Sequence, residues 1–430
     1  MMKICVIGGG STYTPELIEG FINIHEQIQL KELWLLDLKQ NDHKFGIVAD
    51  FARRMVQKAN CGVALHSTFT PQEAIEGADF IIHQFRPGGL QGRIADETIP
   101  LRYGLIGQET TGMGGMACAL RAFPILEQYV ELAKHMSNQA WIINFSNPSG
   151  MLTEFIRNYL QYERTIGLCN YPINVLRSLQ NLFGCQQQEI FVKYYGLNHL
   201  SWIEQVMIQG IDRTADLWQS FHLNPKNIPD APFPLEFLEQ LGLLPNPYLK
   251  YFYMTDTMLQ QQCEAQQAQG TRGEIVQAIE TELLNLYADP SLDHKPPQLE
   301  QRGGALYSTA AAELIHDLVT GARTTHIINT RNNGAIQDFP DNYIMEIPVT
   351  IIQQGTEPLM LGNSHKAVSG LIVTIKNFER LVIEGYLQKN EDLIRQAMLI
   401  HPLGPRLSHV EPLWQALKTA NAGFMDGYQG

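Results

Sequence analysis

The chain has 430 residues, 44% of them hydrophobic and 17% charged, with a formal net charge of −13. That length suffices for two domains, or for one large domain with an elaborate second lobe, and the composition is that of a globular enzyme. The negative charge argues against a nucleic-acid partner, which needs a broad basic face, and no stretch approaches the roughly 18 uninterrupted apolar residues of a membrane helix.

Taken in chain order, KICVIGG reads as a buried strand, followed by a helix from about Pro15 to Glu26. LKELWLLDL reads as a second strand, HKFGIVADFARRMVQKA as a helix and GADFIIHQF as a further strand. This alternation predicts an α/β fold with an N-terminal Rossmann-like, doubly wound parallel sheet. AWIINFSNPSG is a strand running into a polar turn, which places Asn144, Ser146 and Asn147 at a strand's carboxyl end, where open parallel sheets bind ligands. The pattern changes near residue 170, so the expected division is a nucleotide-binding domain over 1–170 and a mixed α+β domain over 171–430 that completes the substrate and metal sites. Residues 224–250 are rich in Pro and Asn and are expected to be irregular and surface-covering. Residues 256–288 read as helical except around Gly270 to Gly273, and HIINTRNNGAIQDFPDNYIMEIPVTI shows two β-rich runs around an Asn333-Gly334 turn. From about His365 the pattern is that of amphipathic helices, and there is no internal repeat.

Only Lys3 precedes the first apolar run, which glycines interrupt before a secretory h-region could form, so a cytoplasmic location is expected. Cys5, Cys61, Cys118, Cys169, Cys185 and Cys263 lack CxxC spacing, which argues for small buried hydrophobes over disulfides. Gly8 and Gly10, followed by Ser11 and Thr12, supply two glycines of G-x-G-x-x-G, letting the backbone turn tightly and approach a pyrophosphate at a helix N-terminus. Tyr13 holds the third position, where a small residue is usual. Asp37 closes the LWLLD strand and is placed to accept from ribose hydroxyls, which favours NAD over NADP because a carboxylate repels a 2′-phosphate.

GLCNYP and YYGLNHLSW set Cys169 and His199 thirty residues apart, each in a segment rich in Gly, Asn and aromatics. A thiolate and an imidazole can share a metal ion; the plainer alternative is a buried packing cysteine and a satisfied histidine. The segment QFRPGGLQGRIADETIPLRYGLIGQETTGMGGM puts Arg93, Asp96, Glu97 and Glu109 among glycines, a composition expected of function-bearing loops, not of a core element.

GGGSTYTP, LWLLD, GGLQGRIADETIPLRYGLIGQETTGMGGM, NFSNPSG, GLCNYP, GLNH, PNPYLKYFY, RGGALYS and NNGAIQDFPD occur in one order along nearly the whole chain. In this it resembles glycoside hydrolase family 4, the NAD- and metal-dependent glycosidases. The Cys-Asn-x-Pro form resembles the branch acting on 6-phospho-β-glucosides, since α-acting branches tend to carry Asp or another residue where Asn170 stands. The resemblance implies that Cys169 and His199 bind a divalent metal, Mn²⁺ or another divalent ion in its place, with substrate hydroxyls completing the coordination and Glu109 close by as a catalytic carboxylate. It implies Arg93, Asn147 and Asn170 as substrate-binding residues, Arg302 near the 6-phosphate, and a catalytic base in PNPYLKYFY. Tyr248 is our choice for that base, with Tyr251 and Tyr253 as alternatives and aromatic packing expected of at least one of the three.

Most glycosidases work with two carboxylates flanking the bond, and NAD-dependent family 4 departs from this. The route implied by the resemblance is hydride removal from C3, loss of the acidified C2 proton to a base, elimination of the aglycone, addition of water and return of the hydride, with NAD recycled. A homodimer or homotetramer is likewise implied. Three alternatives remain: a 6-phospho-α-glucosidase of the same family, an NAD-dependent 2-hydroxyacid dehydrogenase, which needs no metal, and a nucleotide-sensing binding protein, which shows no turnover.

Overall fold

A computed structural model describes residues 2–217, 233–302, 307–353 and 355–428. Among these, nine strands form one sheet: β1 (Met2–Ile7), β2 (Leu30–Leu36), β3 (Ala64–Thr68), β4 (Phe80–His83), β5 (Trp141–Asn144), β6 (Thr165–Gly167), and, from the C-terminal part, β11 (Thr325–Arg331), β12 (Ile344–Ile352) and β13 (Gly355–Pro358). The first six lie side by side in the order β3-β2-β1-β4-β5-β6, all parallel, which is the doubly wound dinucleotide-binding arrangement. β11, β12 and β13 extend the β6 edge antiparallel, so the C-terminal part shares the N-terminal sheet.

Period-two alternation along the buried strands feeds both faces. Ile4, Val6, Leu33, Leu35, Phe80 and Ile82 join one core, while Cys5, Ile7, Leu36 and Ile81 join the other. The first is completed by a small second sheet built on the hairpin of β7 (Ile190–Leu197) and β8 (Leu200–Ile208), flanked by β9 (Ile211–Asp212) and β10 (Leu244–Pro245). The second is covered by the amphipathic helices Lys366–Gln388, Glu391–Ile400 and Leu407–Ala420, in line with the pattern after His365. No helix of the described residues is long and apolar enough to cross a membrane.

Three stretches differ from expectation. Residues 84–116, expected as loops, are largely helical: Gly89–Leu101 is a helix, and Gly112 begins the 25-residue buried helix Gly112–Met136. The glycines serve close backbone approach. A Cβ on Gly107 would stand 1.8 Å from the Glu97 carbonyl oxygen, and one on Gly114 would stand 2.3 Å from the Gln108 oxygen and 2.4 Å from that of Asp96. The charge is buried because it is paired: Arg121 donates to both Asp96 oxygens at 2.8 and 2.5 Å and also to the Pro87 carbonyl and Asn421 Oδ1. The segment 224–250 contains the helix Leu235–Leu241, with 224–232 outside the described residues. The Asn333-Gly334 turn does carry two positive φ angles, 41° and 81°, but it lies within a longer connection, since pairing starts at Arg331 and Ile344. Asn332 braces that connection by donating to the Ile336 and Phe339 carbonyls at 2.8 and 2.9 Å. The remainder of RGGALYS up to residue 306 lies outside the described residues.

Candidate active site

At the β1 carboxyl end the chain turns through Gly8–Ser11 into the helix Thr14–Ile24. Gly8 has φ +88°, and a Cβ there would lie 2.8 Å from the Gln84 carbonyl oxygen. Asp37, just past β2, receives the Gly10 N–H at 2.7 Å on Oδ2, while its other oxygen accepts from the Leu38 amide and Asn41 Nδ2, both at 2.7 Å. One carboxylate therefore fixes the turn and still faces the crevice between β1 and β4. Gly8, Gly10, Ser11 and Asp37 line a cavity of about 1440 Å³, larger than the roughly 300–1,000 Å³ of common small-molecule pockets and roomy enough for a dinucleotide beside a sugar. Thr12 does not line it. Its hydroxyl donates to Glu280 Oε2 at 3.2 Å and its carbonyl accepts from Tyr287 at 2.8 Å, fastening the turn to the helix Arg272–Tyr287.

Cys169 leaves β6 and stands at the N-terminal end of the helix Asn170–Phe183, while His199 is the second residue of the two-residue turn joining β7 and β8, with φ +65°. Their Sγ and Nε2 atoms lie 3.5 Å apart. At that separation a thiolate and an imidazole can bind one divalent ion between them: two ligands of a tetrahedral zinc ion, at about 2.3 Å for sulfur and 2.0–2.1 Å for nitrogen, would be about 3.6 Å apart. Burial pushes His199 down to about 4, which keeps the imidazole neutral and ligand-competent, and His199 Nδ1 has no hydrogen-bond partner among the described residues. Burial, reinforced by Glu346, pushes the Cys169 thiol up to about 12, against the Tyr171 and Asn170 amides and the Asn198 side chain, so a cation is needed to hold the thiolate. The donor set thus fits a metal ion with two protein ligands. Among the described residues no group of three or more His, Cys, Asp or Glu is placed to hold one.

The three tyrosines of the PNPYLKYFY segment separate clearly. Tyr248 lies in the short helix Pro247–Leu249, held by its amide donating to the buried Asn246 Oδ1 at 3.0 Å, and its ring stacks on His199 at 4.0 Å between centroids. Tyr251, whose ring centre is 6.4 Å from that of Tyr248, also faces the cavity. Tyr253 packs against Phe233 and Phe237 and is the packing residue expected of the group. Burial, with Cys169 and Tyr251 adding to it, pushes Tyr248 up to about 12, and Arg93 offsets this only in part. The nearby arginine alone therefore does not make Tyr248 a base at neutral pH.

Arg93 donates from Nε to Glu97 at 2.8 Å and pairs with Glu109 at 3.2 Å, and the second Glu109 oxygen holds Arg86. Glu97 also accepts from the Gly273 amide at 2.7 Å. Asn147 and Asn170 line the same cavity; the Asn147 carbonyl accepts from Cys118 Sγ, and Asn170 follows Cys169 directly. Arg302 sits with its guanidinium 5.6 Å above the Tyr13 ring and 3.8 Å from Glu280 Oε2, which puts it against the glycine turn. Cys169 and His199 are themselves buried, and their neighbours Asn170 and Tyr248 form the cavity wall.

These are the surroundings in which sequence similarity can be weighed. Residues 3–185 match the model of family 4 glycosyl hydrolases, and residues 194–404 match that of the family 4 glycosyl hydrolase C-terminal domain. The chain belongs to glycoside hydrolase family 4. It is 45% identical to the 6-phospho-β-glucosidase BglT of Thermotoga maritima over 99% of each chain. Its fold matches the structure of the T. maritima 6-phospho-β-glucosidase with manganese, NAD⁺ and glucose 6-phosphate at a TM-score of 0.92 and 43% identity, covering 99% of both chains. It also matches a 6-phospho-α-glucosidase from gut microorganisms, in complex with NAD and glucose 6-phosphate, at a TM-score of 0.89 but 27% identity, covering 100% of this family 4 chain and 99% of the other.

Sequence reasoning missed Arg86, which stands beyond β4 at the ligand-binding edge of the sheet. Burial and the neighbouring Arg93 lower its pKa to about 10. Its position directly before Pro87-Gly88-Gly89 at a strand's carboxyl end was the available signal. Asn246 of PNPYLKYFY, Asn198 of GLNH and Glu346 were missed as well; the first two stand in quoted motifs beside Tyr248 and His199, while Glu346 lies outside every motif.

Proposed function

We infer that this family 4 enzyme hydrolyses 6-phospho-β-glucosides, such as cellobiose 6-phosphate, with NAD and Mn²⁺ as cofactors. The observation that carries the reading is a buried two-ligand metal seat, Cys169 and His199 at 3.5 Å with Tyr248 stacked on it, whose neighbours Asn170 and Tyr248 line the same cavity as the dinucleotide turn. The carboxylates of the cavity are otherwise engaged. Glu97 and Glu109 are ion-paired with arginines, Asp37 holds Gly10, and Glu280 pairs with Lys44, so the free acid and base of an ordinary glycosidase are missing among the described residues. β specificity rests on 45% identity to a β enzyme against 26% to the phospho-α-glucosidase PagL of Clostridium acetobutylicum, each over nearly the full chain.

NAD, held by the Gly8–Ser11 turn and Asp37, would supply hydride-transfer chemistry at sugar C3, and a metal ion held by Cys169 and His199 would supply Lewis acidity. The chain's own residues do the rest. Asp37 accepts from the ribose hydroxyls, and Gly8, Gly10, Ser11 and Thr12 build the turn beneath the pyrophosphate. Arg93, Asn147 and Asn170 orient the sugar, Arg302 pairs with its 6-phosphate, and Glu109 keeps Arg86 and Arg93 aligned. Tyr248 takes the C2 proton, its ring fixed on His199.

The test is turnover of p-nitrophenyl 6-phosphoglycosides of both anomers, with NAD⁺ and Mn²⁺ supplied and then withheld. Cleavage of the β anomer only when both are present is expected. Equal cleavage of the α anomer would overturn the specificity, and full activity after removal of NAD⁺ would overturn the mechanism. A homodimer or homotetramer is supported by the exposed apolar side chains Leu399, Ile400 and Leu407 on neighbouring C-terminal helices, and light scattering checks it. Six free cysteines accord with a cytoplasmic, reducing location.

A further inference from the structure

One buried carboxylate that does not line the cavity is bonded to the supports of Cys169, His199 and Tyr248 together. Glu346, on β12, is fully buried. Its Oε2 accepts from the Tyr194 hydroxyl at 2.5 Å and from Ser201 Oγ at 3.4 Å, and its Oε1 accepts from Nδ2 of Asn198 at 3.0 Å and of Asn329 at 3.4 Å. Tyr194 and Ser201 lie on the two strands of the hairpin, and Asn198 is the turn residue immediately before His199. Asn329 Nδ2 also donates to the Gly167 carbonyl at 3.4 Å, at the end of β6 from which Cys169 emerges. From Ser201 the chain of bonds continues: its Oγ accepts from Asn246 Nδ2 at 3.1 Å, and Asn246 Oδ1 accepts from the Tyr248 amide at 3.0 Å.

We propose that Glu346 is the positioning residue of this active site, the anchor that fixes His199 and Tyr248 relative to one another and to Cys169. Nδ2 of Asn198, Nδ2 of Asn329 and the Tyr194 hydroxyl donate to the two Glu346 oxygens, and the single Ser201 hydroxyl proton is shared between Oε2 and the Tyr194 oxygen 2.6 Å away, so both carboxylate oxygens serve as acceptors. A glutamine in its place keeps only one acceptor: its N–H₂ turned toward the hydroxyls reverses the Tyr194–Ser201 rung and leaves a hydroxyl proton without an acceptor, and turned toward Asn198 and Asn329 it meets amide donors. The arm that loosens is either the Asn198 turn, where His199 already holds an uncommon left-handed backbone, or the Tyr194–Ser201 rung leading to Tyr248.

The inference rests on the reading of Cys169 and His199 as a metal seat, so the experiment separates the two. Mn²⁺ affinity of the full-length protein is measured from the electron paramagnetic resonance signal of the free aqua ion, alongside circular dichroism and NAD⁺ binding by fluorescence. Wild type is expected to bind Mn²⁺ and Cys169→Ser to lose it. Glu346→Gln should weaken Mn²⁺ binding about 10–100-fold, the usual cost of removing a group that orients a ligand, while NAD⁺ affinity stays within about twofold. Ser201→Ala cuts the arm to Asn246 but spares the bond to Asn198: Mn²⁺ affinity should hold within about threefold while C2 proton exchange slows about 10–100-fold. If Glu346→Gln fails to fold, Tyr194→Phe, which deletes one donor, should weaken Mn²⁺ binding about 3–10-fold. Wild-type affinity in every folded variant, with Cys169→Ser defective, overturns the positioning role alone. Absence of Mn²⁺ binding in wild type overturns both readings.

Discussion

Replacing Tyr248 with Phe removes one oxygen and little else, which makes it the sharpest test of the proposed base. The ring remains to stack on His199 at 4.0 Å, the Asn246 contact is to the Tyr248 amide and survives, and the lost hydroxyl faces the cavity. Stability should therefore change by less than about 0.5 kcal/mol, as for a surface substitution. A positioned base contributes about 10²–10⁴ to the rate, so turnover should fall by that factor, equivalent to about 3–5 kcal/mol of barrier. The assay is release of p-nitrophenol from the 6-phospho-β-glucoside, together with NMR of the sugar formed in D₂O. A route through C2 deprotonation leaves deuterium at C2 when the base exchanges with solvent, and Tyr248→Phe should suppress label and turnover together while NAD⁺ binding persists. Tyr251→Phe is the control, since its ring lies 6.4 Å away on the same wall. An active Tyr248→Phe beside an inactive Tyr251→Phe would move the base by three residues. Normal turnover without C2 label or isotope effect would reject the mechanism.

Arg302→Ala should raise KM for the phosphorylated substrate far more than for its unphosphorylated analogue, because a charge-assisted contact is lost; a rise confined to the NAD⁺ dissociation constant would assign Arg302 to the glycine turn that it overhangs. Gly114→Ala should cost about 1–3 kcal/mol in urea unfolding, because the new Cβ meets two backbone carbonyls at 2.3 and 2.4 Å that have little room to retreat, and unchanged stability would refute that packing argument. Burial tends to raise the Asp317 carboxyl, but hydrogen bonds from His326, Thr324 and His316 prevail and hold it at about 2. Its folded pKa is depressed, so its stabilisation of about 2 kcal/mol is complete above the unfolded value near 3.8 and is lost as pH falls toward 2. The stability gap between wild type and Asp317→Asn should narrow by about 1 kcal/mol from pH 5 to pH 3, and a pH-independent gap would contradict this.

The strands and turns of the nucleotide half were legible because their signals are local. Apolar runs such as Ile4 to Ile7 and Leu33 to Leu36 have one stable home, between two layers of helices, and Asp37 follows the second run as a ribose ligand should. Residues 84–116 misled because glycine has two uses that composition does not distinguish. At Gly107 and Gly114 it clears space for a neighbouring carbonyl inside a core, and the acids beside them are tolerated only because Arg121 arrives from another helix. The supports of the site were illegible for a related reason. Glu346 sits in the apolar run IMEIPVTI as a lone charge, and the groups it holds, Tyr194, Asn198, Ser201 and Asn329, come from two different sheets. A sequence shows that such an acid is out of place; only the fold shows what needs it.

The cavity also resolves how a chain of net charge −13 can host two anionic ligands. Arg86, Arg93 and Arg302 all face it, and each is met by a carboxylate: Glu109 for the first two, Glu97 again for Arg93 and Glu280 for Arg302. Three guanidinium groups crowded together without those acids would repel one another, and burial already lowers Arg86 and Arg302. The acids hold the cations in place at modest cost in local charge, and they differ in grip. Arg93 and Arg86 are bonded closely, as suits the sugar-orienting role proposed for Arg93, whereas Arg302 stands 3.8 Å from Glu280 with its Nε unpartnered among the described residues. The arginine with the weakest protein partner is the one with the most hydrogen-bonding capacity left for a phosphate, which is why the 6-phosphate dependence of KM is where its loss should be felt.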